Sequence, residues 1–361
     1  MQNFTDDVNG SELFVCNRNV SRSNISDEVF SLDDGQIAPG VHIFLGLLFL
    51  LFVVVGLPWN ILVIISIAKQ RLYKQPVVIL LLNLLITDHL LLLLVLPFSA
   101  VTGLAGEYLF GNSDYVRCEV CRSVLLIDYV HHIAISITSF LLILDRFFYV
   151  YKPFRYERLV TSGRTLLAIV VLCWAPVLII VACFYAFPEA YTIRFSPLVL
   201  GCTSITDYET QYAIVLTILI HIPFLVGIAF NVWLAFIALK NIRAVYKTQK
   251  RSKPKLQRSK SSIMVEDFMK NMRKKKQLHL ASVIGGIVLS HTVAWATEIL
   301  VVYVAKYKVA EPLQVVADVL YASQVMLHPF IKTLLIVEVR ESFKKVLARF
   351  CKGSSKTARQ Q

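Results

Sequence analysis

Hydrophobic positions along this chain run in long uninterrupted blocks, not in the alternation of a strand or the single stripe of a soluble helix. Seven blocks exceed the roughly 20 residues that a helix needs to cross about 30 Å of hydrocarbon. They are Val41–Ala68, Val77–Leu104, Val120–Val150, Leu166–Phe187, Tyr212–Leu239, Leu278–Ala305 and Pro312–Val337. Polar and charged residues gather between them. Hydrocarbon leaves no partner for a bare backbone amide, so each block reads as a helix. The pattern predicts an all-α membrane protein: a seven-transmembrane helix bundle over residues 41–337, a polar N-terminal segment over 1–40 and a tail over 338–361.

Composition agrees, since 56% hydrophobic residues and a mean hydropathy of +0.63 exclude an ordinary soluble domain. The net charge of +13 would by itself suit nucleic acid, but its placement argues against that partner. Of 37 Lys and Arg, 28 lie in the first, third and fifth connecting segments and the tail, against six in the N-terminus and the even segments. The positive-inside rule then puts the N-terminus outside and the tail in the cytosol of a multi-pass plasma-membrane protein. Its basic residues face membrane lipids and cytosolic partners. The first forty residues lack the apolar run of a cleaved leader, so the first block is expected to serve as the insertion signal. Sequons at Asn3, Asn9, Asn19 and Asn24 suit an extracellular, glycosylated segment. The segment 240–277 holds fourteen Lys and Arg with little to bury, and is expected to be a partly disordered inner loop.

The cysteines divide by this topology. Cys16, Cys118, Cys121 and Cys202 fall outside, where disulfides persist. A Cys121–Cys202 bridge would tie the top of the third span to the longest outer loop, and Cys16 with Cys118 is left as either a second bridge or two free thiols. Cys173 and Cys183 lie in the fourth span and Cys351 in the tail.

Ionisable residues inside the blocks are costly in hydrocarbon and therefore mark working positions. Asp128 and the triplet Asp145-Arg146-Phe147 share the third span, and Asp88 lies in the second. Taken in order, Asn60, Asn83 with Asp88, Cys121, Asp145-Arg146-Phe147, Trp174, Pro223 and Pro329 resemble the landmarks of rhodopsin-like (class A) G-protein-coupled receptors. Singly each is weak, because a Trp in an apolar helix usually packs and a Pro usually kinks. Their order through six of the seven blocks carries the resemblance. It implies a ligand-triggered receptor that performs no chemistry, is not an enzyme, needs no cofactor, and couples to a heterotrimeric G protein, with arrestin and a receptor kinase as further partners. It also implies that Asp145 holds Arg146 while the bundle is closed, and that release of Arg146 admits the G protein.

Several positions depart from the family. Its sodium cluster around the second-span carboxylate would meet Ile135 and Ser136 on the third span. On the seventh it meets His328-Pro329-Phe330-Ile331-Lys332, where Asn-Pro-x-x-Tyr is usual. A hydrogen bond from Asp88 to His328 is expected instead, and with it a pH-dependent activity. The sixth-span hinge Cys-Trp-x-Pro aligns with Ser290-His291-Thr292-Val293, and Asn231 stands where the fifth span often has Tyr. These losses favour altered coupling, and motivate a rival reading as a non-signalling partner, decoy or scavenger receptor.

Asp128 follows Cys121 by seven residues, the spacing of the amine-binding carboxylate in biogenic-amine receptors. A carboxylate there would pair with an ammonium group in a cleft where water is scarce. Val215 and Leu219 replace the serines that recognise a catechol. His132, His291, Glu298, Asp318 and Tyr321 are expected to converge on the same cavity, whose acidity suits a small cationic ligand or a basic peptide. Zinc is the alternative use of such a set, set aside because a helical His more often satisfies a core hydrogen bond. Ala322 stands where an opsin needs Lys. The segment 338–350 reads as an amphipathic eighth helix along the membrane surface, with Cys351 as a lipidation candidate. Repeated halves and a His-Glu-x-x-His motif are absent, which argues against a transporter or an intramembrane enzyme.

Overall fold

The computed structural model describes residues 15–16, 39–151, 153–186, 192–196, 200–205, 218, 222–223, 225–230, 232–233, 236–237, 311–335, 339–346 and 348. Among these, four helices are long and apolar enough to cross a membrane: Gly40–Lys69, Pro76–Ala105, Tyr115–Tyr149 and Ser162–Ala186. The seventh predicted block appears as the helix Glu311–Leu335. The fifth is described in part, helical over 225–230. The sixth block, the long inner loop, the four sequons and Cys351 lie outside the described residues.

Two spans widen into a π-turn, and both for the same reason. Leu91–Val95 precedes Pro97, and Ile169–Trp174 precedes Pro176. A proline ring collides with the carbonyl four residues back and offers no N–H, so the turn before it opens by one residue. Neither span breaks, and each continues beyond its proline.

The third span is the centre of the bundle. Ile133, Ala134, Ile135 and Ile137 are buried among Leu80, Leu81 and Leu84 of the second span and Ile169, Cys173 and Val177 of the fourth. Its polar positions fasten the neighbours: Asn83 donates to Thr138 at 2.8 Å, and Trp174 Nε1 donates to Asn83 Oδ1 at 2.9 Å. Asn60 of the first span donates to the Leu85 carbonyl at 3.0 Å. By contrast, the first and fourth spans present Phe44, Leu47, Leu51, Leu167, Leu178 and Ile179 outward, as lipid-facing walls should.

At the end that the charge pattern assigns to the outside, the chain departs from all-helical structure. Strands β1 (Val15–Cys16), β2 (Thr192–Ser196) and β3 (Gly201–Ile205) form one antiparallel sheet in that order. Cys202 of β3 is disulfide-bonded to Cys121, with Cα atoms 5.4 Å apart, so the sheet is fixed to the third span. Cys118 is disulfide-bonded as well, while the backbone of Cys16 lies opposite Ile193. Thr102 donates to the Leu200 carbonyl at 3.1 Å, tying the same loop to the second span.

At the other end, residues 339–346 form a short helix whose Val339, Phe343 and Val346 are buried while Lys344 and Lys345 face out. Its apolar face rests partly on the bundle, for Trp59 stacks on Phe330 at 4.1 Å and meets Phe343 at 4.7 Å. Ser342 also donates to the Ser66 carbonyl at 2.8 Å.

The first and second spans touch backbone to backbone. A Cβ on Gly46 would lie 2.7 Å from the Leu104 nitrogen and 2.9 Å from the Gly103 carbonyl carbon. Small residues are what permit such approach, which then gains dispersion contacts along both helices. Gly46→Val is therefore expected to cost about 1–3 kcal/mol through forced separation of the two spans. Thermal unfolding of the purified variant checks this, with Gly40→Val, which meets open space, as the comparison.

Candidate functional site

Within the bundle, the polar side chains of three spans join into one connected chain. Asp88, fully buried, lies in the last turn of the helix segment Pro76–Leu90. Its Oδ1 is 3.2 Å from His131 Nε2, and its Oδ2 is 3.3 Å from His328 Nδ1. Both imidazoles are themselves buried. His131 Nδ1 then stands 2.6 Å from the Tyr321 hydroxyl. That hydroxyl is also 3.2 Å from Asp128 Oδ1 and 3.1 Å from His132 Nδ1. The His132 ring stacks on Tyr321 at 4.4 Å, and its Nδ1 lies 2.9 Å from the Asp128 carbonyl oxygen.

Helix periodicity explains how one span serves both ends of this chain. Asp128, His131 and His132 sit at i, i+3 and i+4, so all three lie on one side of the third span. His132 points back along Asp128, while His131, a residue earlier, is turned toward the second span. Asp128 is the more exposed end, with a side chain 28% accessible against 0% for Asp88. Asp128 is therefore partly open to solvent, and Asp88 is not.

The end of the third span remote from the sheet holds a second polar cluster. Arg146 Nε lies 3.3 Å from Asp145 Oδ2, and Asp145 is almost fully buried. Tyr156, on the short helix Pro153–Leu159, donates to Asp145 Oδ1 at 2.7 Å. Burial, and next the neighbouring Asp145 charge, push the Tyr156 phenol well above its ordinary value, so it stays a donor. Phe147 stacks on Trp233 of the fifth span at 5.1 Å and on Tyr151 at 5.2 Å.

Of the residues expected to meet in a cavity, Asp128, His132 and Tyr321 are brought together. Asp318 is half-buried on the seventh span three residues before Tyr321. His291 and Glu298 lie outside the described residues. Two participants were not anticipated. His131, next to the anticipated His132, carries the link to Asp88; its signal was the His-His doublet three and four residues after Asp128. Tyr156 had no signal, because its contact with Asp145 depends on how the chain turns after Tyr151.

Residues 59–331 match the family model of the 7 transmembrane receptor (rhodopsin family). The chain belongs to that family. It is thus a seven-span membrane receptor. Among curated relatives, the alpha-1A adrenergic receptor of Cavia porcellus is 35% identical over 138 residues, 38% of this chain and 28% of the relative. The D(1C) dopamine receptor of Xenopus laevis is 30% identical over 147 residues, 40% of this chain and 30% of its own. The human C-C chemokine receptor type 6 is 26% identical over 198 residues, 54% of this chain and 50% of its own. The matches span about a third to a half of these relatives' lengths.

Tyr156→Phe removes the hydroxyl that shares Asp145 with Arg146. Loss of about 1 kcal/mol from the closed arrangement is expected to raise ligand-independent signalling by about fivefold. Basal G-protein sensor activation at matched surface expression measures it, and an unchanged or lower signal would show that Tyr156 does not restrain Arg146.

Proposed function

We propose that this receptor senses a cationic extracellular ligand at Asp128 and passes the event inward to a heterotrimeric G protein. The observation that carries this reading is the unbroken polar chain from half-exposed Asp128 through Tyr321 and His131 to buried Asp88 and His328. A ligand can only shift an equilibrium for which it has unequal affinity, so the outer carboxylate must be linked to something that rearranges.

Tyr321 supplies the link. With His132 Nδ1–H donating to the Asp128 carbonyl at 2.9 Å, the hydroxyl has one proton and two acceptors within reach, Asp128 Oδ1 at 3.2 Å and His131 Nδ1 at 2.6 Å. A neutral imidazole donates from one nitrogen only. When His131 donates Nε2–H to Asp88, its bare Nδ1 accepts from Tyr321, and Asp128 loses that donor. A ligand ammonium supplies Asp128 with donors of its own, which releases Tyr321 to His131 and strengthens the tie between the third, seventh and second spans. At the inner end, Asp145, Arg146 and Tyr156 form the restraint that the shift would release.

The adrenergic and dopamine names of two relatives support a small amine. A basic peptide is the second reading, favoured by the three-stranded sheet that β1 completes beside the third span and by the chemokine-receptor relative. The N-terminus and this sheet are then extracellular and the 339–346 helix cytosolic, as the basic residues dictate.

Asp128→Asn is expected to weaken an activating amine by about tenfold to a hundredfold, because it removes the charge and keeps the shape. A panel of biogenic amines and basic peptides, read with G-protein sensors beside wild type, Arg146→Ala and Asp145→Asn at matched surface expression, checks this. Signal that is lost in Arg146→Ala and raised in Asp145→Asn supports coupling through this site. A well-expressed receptor that no member of the panel activates, silent also in Asp145→Asn, would instead favour the non-signalling partner or decoy.

A further inference from the structure

The family resemblance implies a sodium ion beside Asp88, completed by polar side chains of the third and seventh spans. The residues present do not fit one. A hard cation takes oxygen ligands, yet each carboxylate oxygen already faces an imidazole nitrogen, His131 Nε2 at 3.2 Å and His328 Nδ1 at 3.3 Å. Of the two third-span positions, Ile135 offers a buried hydrocarbon where an oxygen would be needed, and the buried Ser136 hydroxyl has an interaction of its own. An imidazole N–H that donates to a carboxylate turns its positive end toward the space a cation would share, and its bulk fills that space.

We infer that the Asp88 centre takes no inorganic cation, its two flanking imidazoles supplying the donors and filling the space that an ion would otherwise take. A carboxylate at zero exposure must be neutralised or fully hydrogen-bonded. Three groups on three spans accomplish this when each imidazole donates one N–H to the carboxylate. The described groups that face the centre are Asp88 on the second span, His131 on the third and His328 on the seventh. Tyr321, His132 and Asp128 follow along the same chain. Asn60 on the first span is uncharged and donates to the Leu85 carbonyl. The consequence is a receptor whose core is set by its own side chains and not by external sodium.

This deepens the reading of the same polar chain, but its test needs neither ligand nor G protein, so the two fail separately. The full-length receptor is purified in detergent, and its thermal unfolding is compared in sodium chloride and potassium chloride at one ionic strength, about 0.15 M. Wild type is expected to unfold at the same temperature in both. His131→Asn with His328→Asn replaces each ring by a carboxamide oxygen and opens the space. This variant is expected to gain a sodium-specific rise of about 3 °C or more. If the double variant does not fold, His328→Asn alone takes its place. A sodium-specific rise of that size in wild type overturns the inference without reference to any variant. A folded variant that stays indifferent to sodium overturns it too, since the imidazoles would then not be what excludes the ion.

Discussion

A carboxylate placed in hydrocarbon with no access to water constrains everything around it. Asp88 sits at zero exposure, and its ionised form there would cost several kcal/mol even after relaxation. The bundle answers by directing an imidazole from each of two other spans at its oxygens. That answer fixes the azimuth of the third and seventh helices about the second, because rotating either by one residue would remove its ring. Asn83, five residues earlier on the second span, extends the constraint through Thr138 to the third span and through Trp174 to the fourth. Polar bonds thus set which face of each helix turns inward, while Leu, Ile and Val fill the space between with little directional preference of their own.

The bundle itself was legible in the sequence because membrane spans obey a length rule that soluble helices do not. Block ends fall within a few residues of helix ends: Val77–Leu104 against Pro76–Ala105, and Leu166–Phe187 against Ser162–Ala186. The third span runs further, from Asp114 to Tyr151: Tyr115 and Val116 are exposed, and Cys118 and Val120 are half-buried against Ile193 and Phe195 of the sheet. The Cys121–Cys202 bridge was readable from topology and spacing. The outer strands were not, since segments as short as Val15–Cys16 acquire strand geometry only by pairing with a distant partner.

Within the site, the legible parts were those that local spacing determines. Asp128 and His132 are one helical turn apart, and their proximity needs no tertiary information. His131 required knowing that the second span stands beside that face of the third, which composition does not reveal. An imidazole in an apolar helix has many uses, and only its two neighbours, Asp88 at one nitrogen and Tyr321 at the other, decide between them. Tyr156 is harder still: its bond to Asp145 joins residues on two helices separated by a bend.

Both polar clusters hang on the third span, Asp128 near one end and Asp145 near the other, seventeen residues or about 25 Å apart along the axis. A helix buried along most of that length is stiff, so the two clusters are not independent ornaments on a flexible chain. Any change that moves the third span relative to the second and seventh must break or reform the contacts of Asp88, and must also move Asp145 against Tyr156 and Phe147 against Trp233. The third span is the described element on which both polar clusters are built. Coupling along it, as proposed, would use that rigidity and would require two discrete arrangements of the Asp88 contacts. Tyr321, with one proton between two acceptors, provides a means of choosing between them.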